Sequence, residues 1–195
     1  MALLAHTQAV DDLIHQLDEV VSIRDEEARC LDVKRVLAEA LGSGRVMLEP
    51  RWLVPAAGSY ARRLLHLDPA GRYSVLVMVW DRGQGTALHD HGGDWCVECV
   101  YSGQIEVTSY SICGGRAEEG IVQFKEEEVV RAGVGHAGAL IPPFEYHVLR
   151  QSGAEPAVTL HVYGGELTRC HIYEPVEGGW RRRSKDLSYT AETRA

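Results

Sequence analysis

The sequence predicts a mainly β fold in which two N-terminal helices pack on one antiparallel β-barrel. Apolar residues recur at helical spacing only in the first 45 or so residues. From Tyr60 onward, short segments rich in Val, Ile, Tyr and Thr are separated by Gly, Pro or charged turns. Those segments recur about every 8–12 residues, the rhythm of a sandwich or barrel. A chain of 195 residues, 45% hydrophobic and 25% charged, suits one domain with a substantial core and excludes a disordered or fibrous protein.

The first helix follows from Val10, Leu13, Ile14, Leu17, Val20 and Val21, which share one face, with Thr7 as N-cap. A second runs from about Asp25 to Leu41. Its acidic first turn (Asp25, Glu26, Glu27) suits the positive end of the helix dipole. Val33, Val36, Leu37, Ala40 and Leu41 form its apolar face, and Gly42 and Gly44 stop it. Strands are expected over 60–67, 73–80, 86–91, 95–101, 104–111, 120–124, 127–131, 137–141, 145–151, 157–163 and 170–174. There is no internal repeat, low-complexity segment or linker. One domain is expected over 1–195, with a helical part at about 7–42 and a barrel at about 58–175.

Charge and composition narrow the function classes. With 20 basic and 28 acidic residues the net charge is −8, which gives no general attraction for nucleic acid or an anionic membrane. The dense basic run, Arg181-Arg182-Arg183 with Lys185, reads as a solvated tail. The longest apolar run, Tyr73 to Trp80, is far too short for a membrane span and reads as a buried strand. No basic region precedes the first apolar residues, and Asp11 and Asp12 follow soon after, so no signal peptide is expected. The five cysteines, Cys30, Cys96, Cys99, Cys113 and Cys170, are then expected as reduced thiols in a cytoplasm.

Nine histidines is many for this length. His6, His15 and His66 have no partner pattern and read as surface or packing residues. His89 and His91 are different: on a strand, residues i and i+2 point to the same side, so two imidazoles meet at one point. Such a pair suits Fe, Zn, Cu or Ni, although alone it equally fits an exposed strand face. It is not alone. Gly83, His89, His91, Cys96 and Gly103 form the pattern G-x5-H-x-H-x4-C-x6-G, and Pro142 is followed, five residues on, by His147. The two stretches, about 50 residues apart, resemble the paired motifs of the cupin superfamily. That resemblance implies a cupin-type double-stranded β-helix, or jelly roll. A Glu usually stands where Cys96 stands, Glu98 comes two residues too late, and Arg150 and Gln151 replace a usual Asn. A metal on three neutral imidazoles keeps its full charge and leaves about half of an octahedron open, room for an anionic, soft, bidentate ligand.

Further stretches narrow the family. Glu155-Pro156-Ala157-Val158-Thr159-Leu160-His161-Val162-Tyr163, Thr168-Arg169-Cys170-His171, Tyr60-Ala61-Arg62 and the strand ending Val79-Trp80 together resemble the cysteine dioxygenase (thiol dioxygenase) family over about residues 45–175. The resemblance implies Fe(II) held by His89, His91 and His147, with O2 as co-substrate. Both oxygen atoms are added to a thiol, giving a sulfinic acid. It also implies that Arg62 pairs with the substrate carboxylate, with Tyr60, His161 and Tyr163 around the substrate. Thr159, His161 and Tyr163 correspond to the Ser-x-His-x-Tyr relay, with Thr keeping the hydroxyl. Cys96 and Tyr163 correspond to the Cys and Tyr that form a thioether in many eukaryotic members. Family members are commonly monomers.

The residues are compatible with these roles. Thr159, His161 and Tyr163 alternate along one strand and share a face, with Leu160 and Val162 on the other, toward the core. His161 is a rival fourth ligand but reads better behind the ligands, orienting the phenol. The Arg62 guanidinium offers a fork that matches a carboxylate, although beside Arg63 it also fits a surface residue. Cys96 and Cys99, three apart, diverge on a strand, so Cys99 is expected in the core, and Cys30 and Cys113 as structural thiols. Cys170 is expected near the pocket. His136 and His171 rival His147 but lack the spacing from a proline. Trp95 and Gly92-Gly93-Asp94 have no assigned role and could reshape the pocket. The expected substrate is L-cysteine. The alternatives are 3-mercaptopropionate or another mercapto acid, a non-catalytic metal-binding cupin sensor, and a zinc-dependent cupin isomerase.

Overall fold

A computed structural model describes residues 7–116, 120–143 and 145–191. His6 and Phe144, both singled out or spanned by the motifs above, lie outside the described residues. Helix α1 is Gln8–Val20, and α2 is Glu26–Gly42. Thr7 occupies the N-cap position of α1 without capping; its hydroxyl donates instead to the Met47 carbonyl at 3.3 Å. Asp25 does cap α2, accepting from the Ala28 N–H at 2.8 Å. A short 3-10 turn, Pro50–Leu53, brings Trp52 into the same core as the two helices. Among the described residues no helix is long and apolar enough to cross a membrane.

The strands are β1 (Ala61–Leu67), β2 (Ser74–Trp80), β3 (Leu88–His89), β4 (Cys96–Ser102), β5 (Ile105–Gly114), β6 (Ile121–Ala132), β7 (Ala137–Leu140), β8 (Tyr146–Gln151), β9 (Ala157–Tyr163), β10 (Arg169–Val176) and β11 (Gly179–Asp186). One sheet has the order β1-β2-β9-β4-β7, and the other closes on itself as β10-β11-β6-β5-β8-β3. All the pairs are antiparallel. This is the cupin-type antiparallel architecture expected, with two N-terminal helices packed on the first sheet.

Two expectations about the strands are corrected. The segments 120–124 and 127–131 are one strand, β6; the charged residues between them lie on an exposed ladder with β5 rather than in a turn. The basic run at Arg181–Lys185 is no solvated tail. It is β11, paired along its length with β10 and at one end with β6. Its side chains are largely exposed, so strand pairing through the backbone left no apolar signal to read.

The central strands of the first sheet are buried on both faces. Val75, Val77, Val79, Val97, Cys99, Val158, Leu160 and Val162 pack toward the helices, in one cluster with Leu13, Leu17, Val33 and Leu37. Each such side chain contributes roughly 1.5–3 kcal/mol when fully removed from water. The alternate residues, including Met78, Trp80, Cys96, Thr159, His161 and Tyr163, face the barrel interior. Cys96 and Cys99 therefore diverge as expected. Trp95 lies in the helix-side core under the Arg29 guanidinium, 5.5 Å from its centroid, and does not shape the pocket. Cys113, expected as a structural thiol, is exposed near the end of β5. Gly103, the last residue of the first motif, has φ +75°, and a Cβ there would meet the Pro156 carbonyl at 2.6 Å; only glycine permits that turn from β4 to β5.

Candidate metal centre

β3 is only two residues long, yet it closes the ring of strands. His89 pairs with Ile172 of β10 on one side and directly with His147 of β8 on the other. The Nε2 atoms of His89 and His147 are 3.2 Å apart. His91 lies just beyond β3, and its ring centroid is 5.3 Å from that of His89 and 5.0 Å from that of His147. One nitrogen of each ring falls within 4.8 Å of the others, a group that could hold a metal ion.

The backbone is pinned so that the rings converge. The Asp90 carboxylate accepts from the His171 N–H at 2.9 Å, the Tyr173 hydroxyl at 2.9 Å and the Gly92 N–H at 3.0 Å. Burial pushes Asp90 up, but these hydrogen bonds outweigh it and hold the carboxyl below its ordinary range. His171 thus serves Asp90, its Nδ1 3.0 Å from Oδ2, and stands outside the metal group. His136 is exposed, its Nδ1 accepting from the Gly133 N–H at 3.2 Å. Neither rival joins His89 and His91.

The donor set fits a divalent metal. Nδ1 of His89 lies 3.1 Å from the Ala87 carbonyl, which can only accept, so Nδ1 carries the hydrogen and Nε2 is the free lone pair. Burial, then the neighbouring His91, lowers the His89 pKa to about 3, and burial lowers that of His91 to about 4. Burial and the adjacent imidazoles hold His147 well below its usual value. Three neutral imidazoles at pH 7 are the protonation state that ligation needs.

Two buried carboxyls stand behind these rings, and neither was assigned from sequence. Glu145 accepts from the His91 N–H at 3.1 Å and lies 3.7 Å from its Nδ1; burial raises its pKa to about 7. Glu98 lies 3.9 Å from Nδ1 of His147 and 3.6 Å from Nδ1 of His161, with a pKa raised to about 8 by burial. Glu98 is two residues beyond Cys96 and so on the same face, the one sequence signal that could have found it.

The alternation on β9 places Thr159, His161 and Tyr163 on the pocket side, all buried. The Trp80 indole N–H donates to Thr159 Oγ1 at 2.9 Å, leaving the threonine hydrogen for His161 Nε2 at 2.8 Å. His161 then carries its hydrogen on Nδ1, 3.4 Å from the Tyr163 oxygen. Tyr163 stands opposite Cys96 in the β4–β9 pairing, and its ring centroid is 5.7 Å from that of His91. His161 is behind the ligands rather than among them.

A cavity of about 110 Å³ opens onto the three histidines, with Tyr60, Arg62, Tyr163, Cys170 and Lys185 in its wall. Arg62 is buried, on the face of β1 opposite Arg63. Its Nη2 donates to the Leu167 carbonyl at 2.6 Å, and its guanidinium stacks on Tyr189 at 5.0 Å. Tyr60 packs on Trp80 with ring centroids 4.5 Å apart. Among the described residues lining this cavity none is acidic. Cys170 reaches the wall as expected, and burial pushes its thiol up to about 11.

Comparison with known proteins places the chain in a family. The family model for "Cysteine dioxygenase type I" matches residues 3–175. Cysteine dioxygenase type 1 of Homo sapiens is 26% identical over 120 residues, covering 61% of this chain and 58% of that protein. The same-named protein of Danio rerio is 25% identical over 122 residues, with the same coverage of 61% and 58%. The matched region thus spans 58% of the length of these curated relatives. Among solved structures, a conserved protein with a double-stranded β-helix domain from Klebsiella pneumoniae is similar, with a TM-score of 0.48 and 20% identity over 65% of this chain and 89% of that one.

Proposed function

The chain belongs to the cysteine dioxygenase type I family, and from that premise we propose that it is an Fe(II)-dependent dioxygenase that converts the thiol of L-cysteine to a sulfinic acid. The observation that carries the reading is the convergence of three neutral imidazoles beside a buried guanidinium in one small cavity. His89, His91 and His147 would hold the iron, which supplies the chemistry joining dioxygen to sulfur.

The chain's own residues bind and orient. One edge of the Arg62 fork is tied to Leu167 and its plane is set by Tyr189, so the remaining N–H groups are held in place for a carboxylate. The order Trp80, Thr159, His161, Tyr163 runs donor to acceptor at each step and ends on the phenol oxygen. The phenol hydrogen is thereby directed away from His161, toward the Met78 sulfur 4.0 Å away in the pocket wall. Burial, then Cys96, raises the Tyr163 pKa well above its usual value, so the group remains a donor at neutral pH. The Cys170 thiol, raised by burial, remains protonated and does not compete as a nucleophile. Cys96 opposite Tyr163 supports a thioether that would fix the phenol.

A second reading keeps the reaction and replaces L-cysteine with 3-mercaptopropionate. It is favoured by the lack of an acidic residue in the described lining that could meet a free ammonium. Arg62 and Cys96 favour the first, since they stand where relatives acting on 3-mercaptopropionate often carry Gln and Gly. Comparing kcat/KM for L-cysteine, 3-mercaptopropionate and cysteamine on the iron-loaded chain decides. The proposal expects L-cysteine to be best and cysteamine, which lacks the carboxylate, to be poor.

A further inference from the structure

Glu98 is a buried carboxyl that the proposed reaction does not use. It is 6% exposed and stands on β4 between its cross-strand neighbours, His161 of β9 and Gly138 of β7. Two imidazoles lie beside its carboxyl, with Oε1 3.9 Å from Nδ1 of His147 and Oε2 3.6 Å from Nδ1 of His161, and the Cys96 and Cys99 thiols and the Tyr163 phenol are also electrostatic neighbours. Nδ1 of His147 and Oε2 of Glu98 are both buried without a hydrogen-bond partner. Buried polar atoms in native proteins are nearly always paired, and a carboxyl in an apolar interior is costly. Glu98 also borders a second cavity of about 380 Å³, where Val100, Ile105 and Leu149 share the wall with Lys34, Glu128 and His136. Packing alone would be served by a leucine.

The placement also separates Glu98 from the ligands. The nitrogen of His147 that meets His89 is Nε2, and Glu98 faces the opposite nitrogen. For Nε2 to donate its lone pair, Nδ1 must carry the hydrogen, and that hydrogen needs an acceptor. The same holds at His161, where Thr159 donates to Nε2 and leaves the hydrogen on Nδ1. There the Tyr163 oxygen at 3.4 Å and Cys96 Sγ at 3.9 Å share the neighbourhood of Nδ1 with Glu98.

We propose that Glu98 is a positioning residue whose single carboxyl backs both His147 and His161, holding each ring with its hydrogen on Nδ1. One buried side chain thereby ties a metal ligand to the histidine that orients Tyr163. The inference rests on His89, His91 and His147 being the metal ligands.

The test compares wild type, Glu98→Leu and Glu98→Gln. Affinity for Co(II) is measured by competition with a chromophoric chelator, and thermal unfolding is measured on the metal-free proteins. Leu keeps the volume and removes the carboxyl from behind both rings, so Co(II) binding should weaken about 10–100-fold, the usual effect of losing a group behind a ligating histidine. The Tm of the metal-free Leu variant should stay level or rise, because imidazole nitrogens 3.6 and 3.9 Å away return less than the cost of burying the carboxyl. Gln keeps one acceptor oxygen and should fall between the two. A merely structural role predicts the reverse pattern, a lower Tm with metal affinity following it, and that result would overturn the proposal. So would unchanged Co(II) affinity in both variants. A wild-type chain that takes up no metal overturns this proposal together with the metal-centre reading, whereas unchanged affinity in the variants overturns this proposal alone.

Discussion

Cys96 of β4 and Tyr163 of β9 stand directly opposite each other in an antiparallel pair, both buried and both on the face turned toward the histidines. Directly opposed residues have Cβ atoms roughly 4.5–5.5 Å apart, close enough for sulfur to reach an aromatic ring. A two-electron oxidation with O2 as acceptor would join Sγ to the ring carbon beside the hydroxyl, with loss of two hydrogens. Intact-protein mass spectrometry after turnover should show that loss, and Cys96→Ser should abolish it. Cys96→Ser should also retain the metal and lower turnover only in part. Tyr163→Phe should cost more, since the hydroxyl itself goes. An unchanged mass after extensive turnover removes the cross-link from the account and leaves the metal site standing.

Arg62 is expected to govern recognition of the carboxylate. Arg62→Ala should weaken binding of a carboxylate-bearing thiol by about 1.5–3 kcal/mol, the range for a hydrogen bond to a charged group. The loss should appear mainly in KM. Arg62→Lys should not restore it fully, because an ammonium cannot offer the fork. Kinetics with L-cysteine and cysteamine check this: if Arg62→Ala lowers kcat/KM for both equally, the carboxylate is bound elsewhere.

Thr159 is expected to be replaceable only by a hydroxyl. Thr159→Ser keeps both the acceptor for Trp80 and the donor to His161, and should remain close to wild type. Thr159→Val leaves the Trp80 N–H buried without a partner, which costs about 1–3 kcal/mol of stability. It also frees His161 to change tautomer, so turnover should fall beyond what the lost stability explains. Chemical denaturation alongside steady-state kinetics separates the two effects.

The metal-free chain should be most stable near pH 6.5. His89 and His91 fall from 6.5 to about 3 and about 4, and His147 and His161 are also lowered, all chiefly by burial. The unfolded chain binds protons at these sites below about pH 6.5 and the folded chain does not, so acidification from there destabilises. Glu98 rises from 4.5 to about 8 and Glu145 from 4.5 to about 7, again by burial. The folded chain keeps protons that the unfolded chain releases, so stability also falls as pH rises from 4.5 through 8. The four imidazoles dominate below 6.5 and the two carboxyls act alone above it. Tm measured across pH 5–8.5 should peak near the middle, and Glu98→Leu should flatten the alkaline side. A Tm that rises steadily to pH 8 would contradict this.

Residue alternation made much of the site legible. His89 and His91 stood out by their spacing, His147 by its distance from Pro142, and Thr159, His161 and Tyr163 by sharing one face of a strand. The helices were equally plain, because Leu13, Leu17, Val33 and Leu37 repeat with the helical period. β11 was not legible: its residues pair through the backbone while their side chains stay in water, so Arg181–Lys185 carries no apolar pattern. Glu98 and Glu145 were passed over because a carboxyl behind a ligand obeys no fixed spacing. Only the tertiary pairing of β4, β8 and β9 reveals what each one faces. Cys113 was misplaced because strand membership alone does not say which face of the β5–β6 ladder is covered.

The account stands on one reaction, and oxygen stoichiometry tests it most directly. The chain, loaded anaerobically with Fe(II), is mixed with L-cysteine or 3-mercaptopropionate under isotopically labelled O2. O2 uptake and sulfinic acid are then measured together. The account predicts one O2 consumed per sulfinate formed, both oxygen atoms of the sulfinate labelled, and no uptake when His147 is replaced by Ala. Iron-loaded protein that consumes no O2 with either thiol, or that releases hydrogen peroxide and disulfide with no labelled sulfinate, would contradict it.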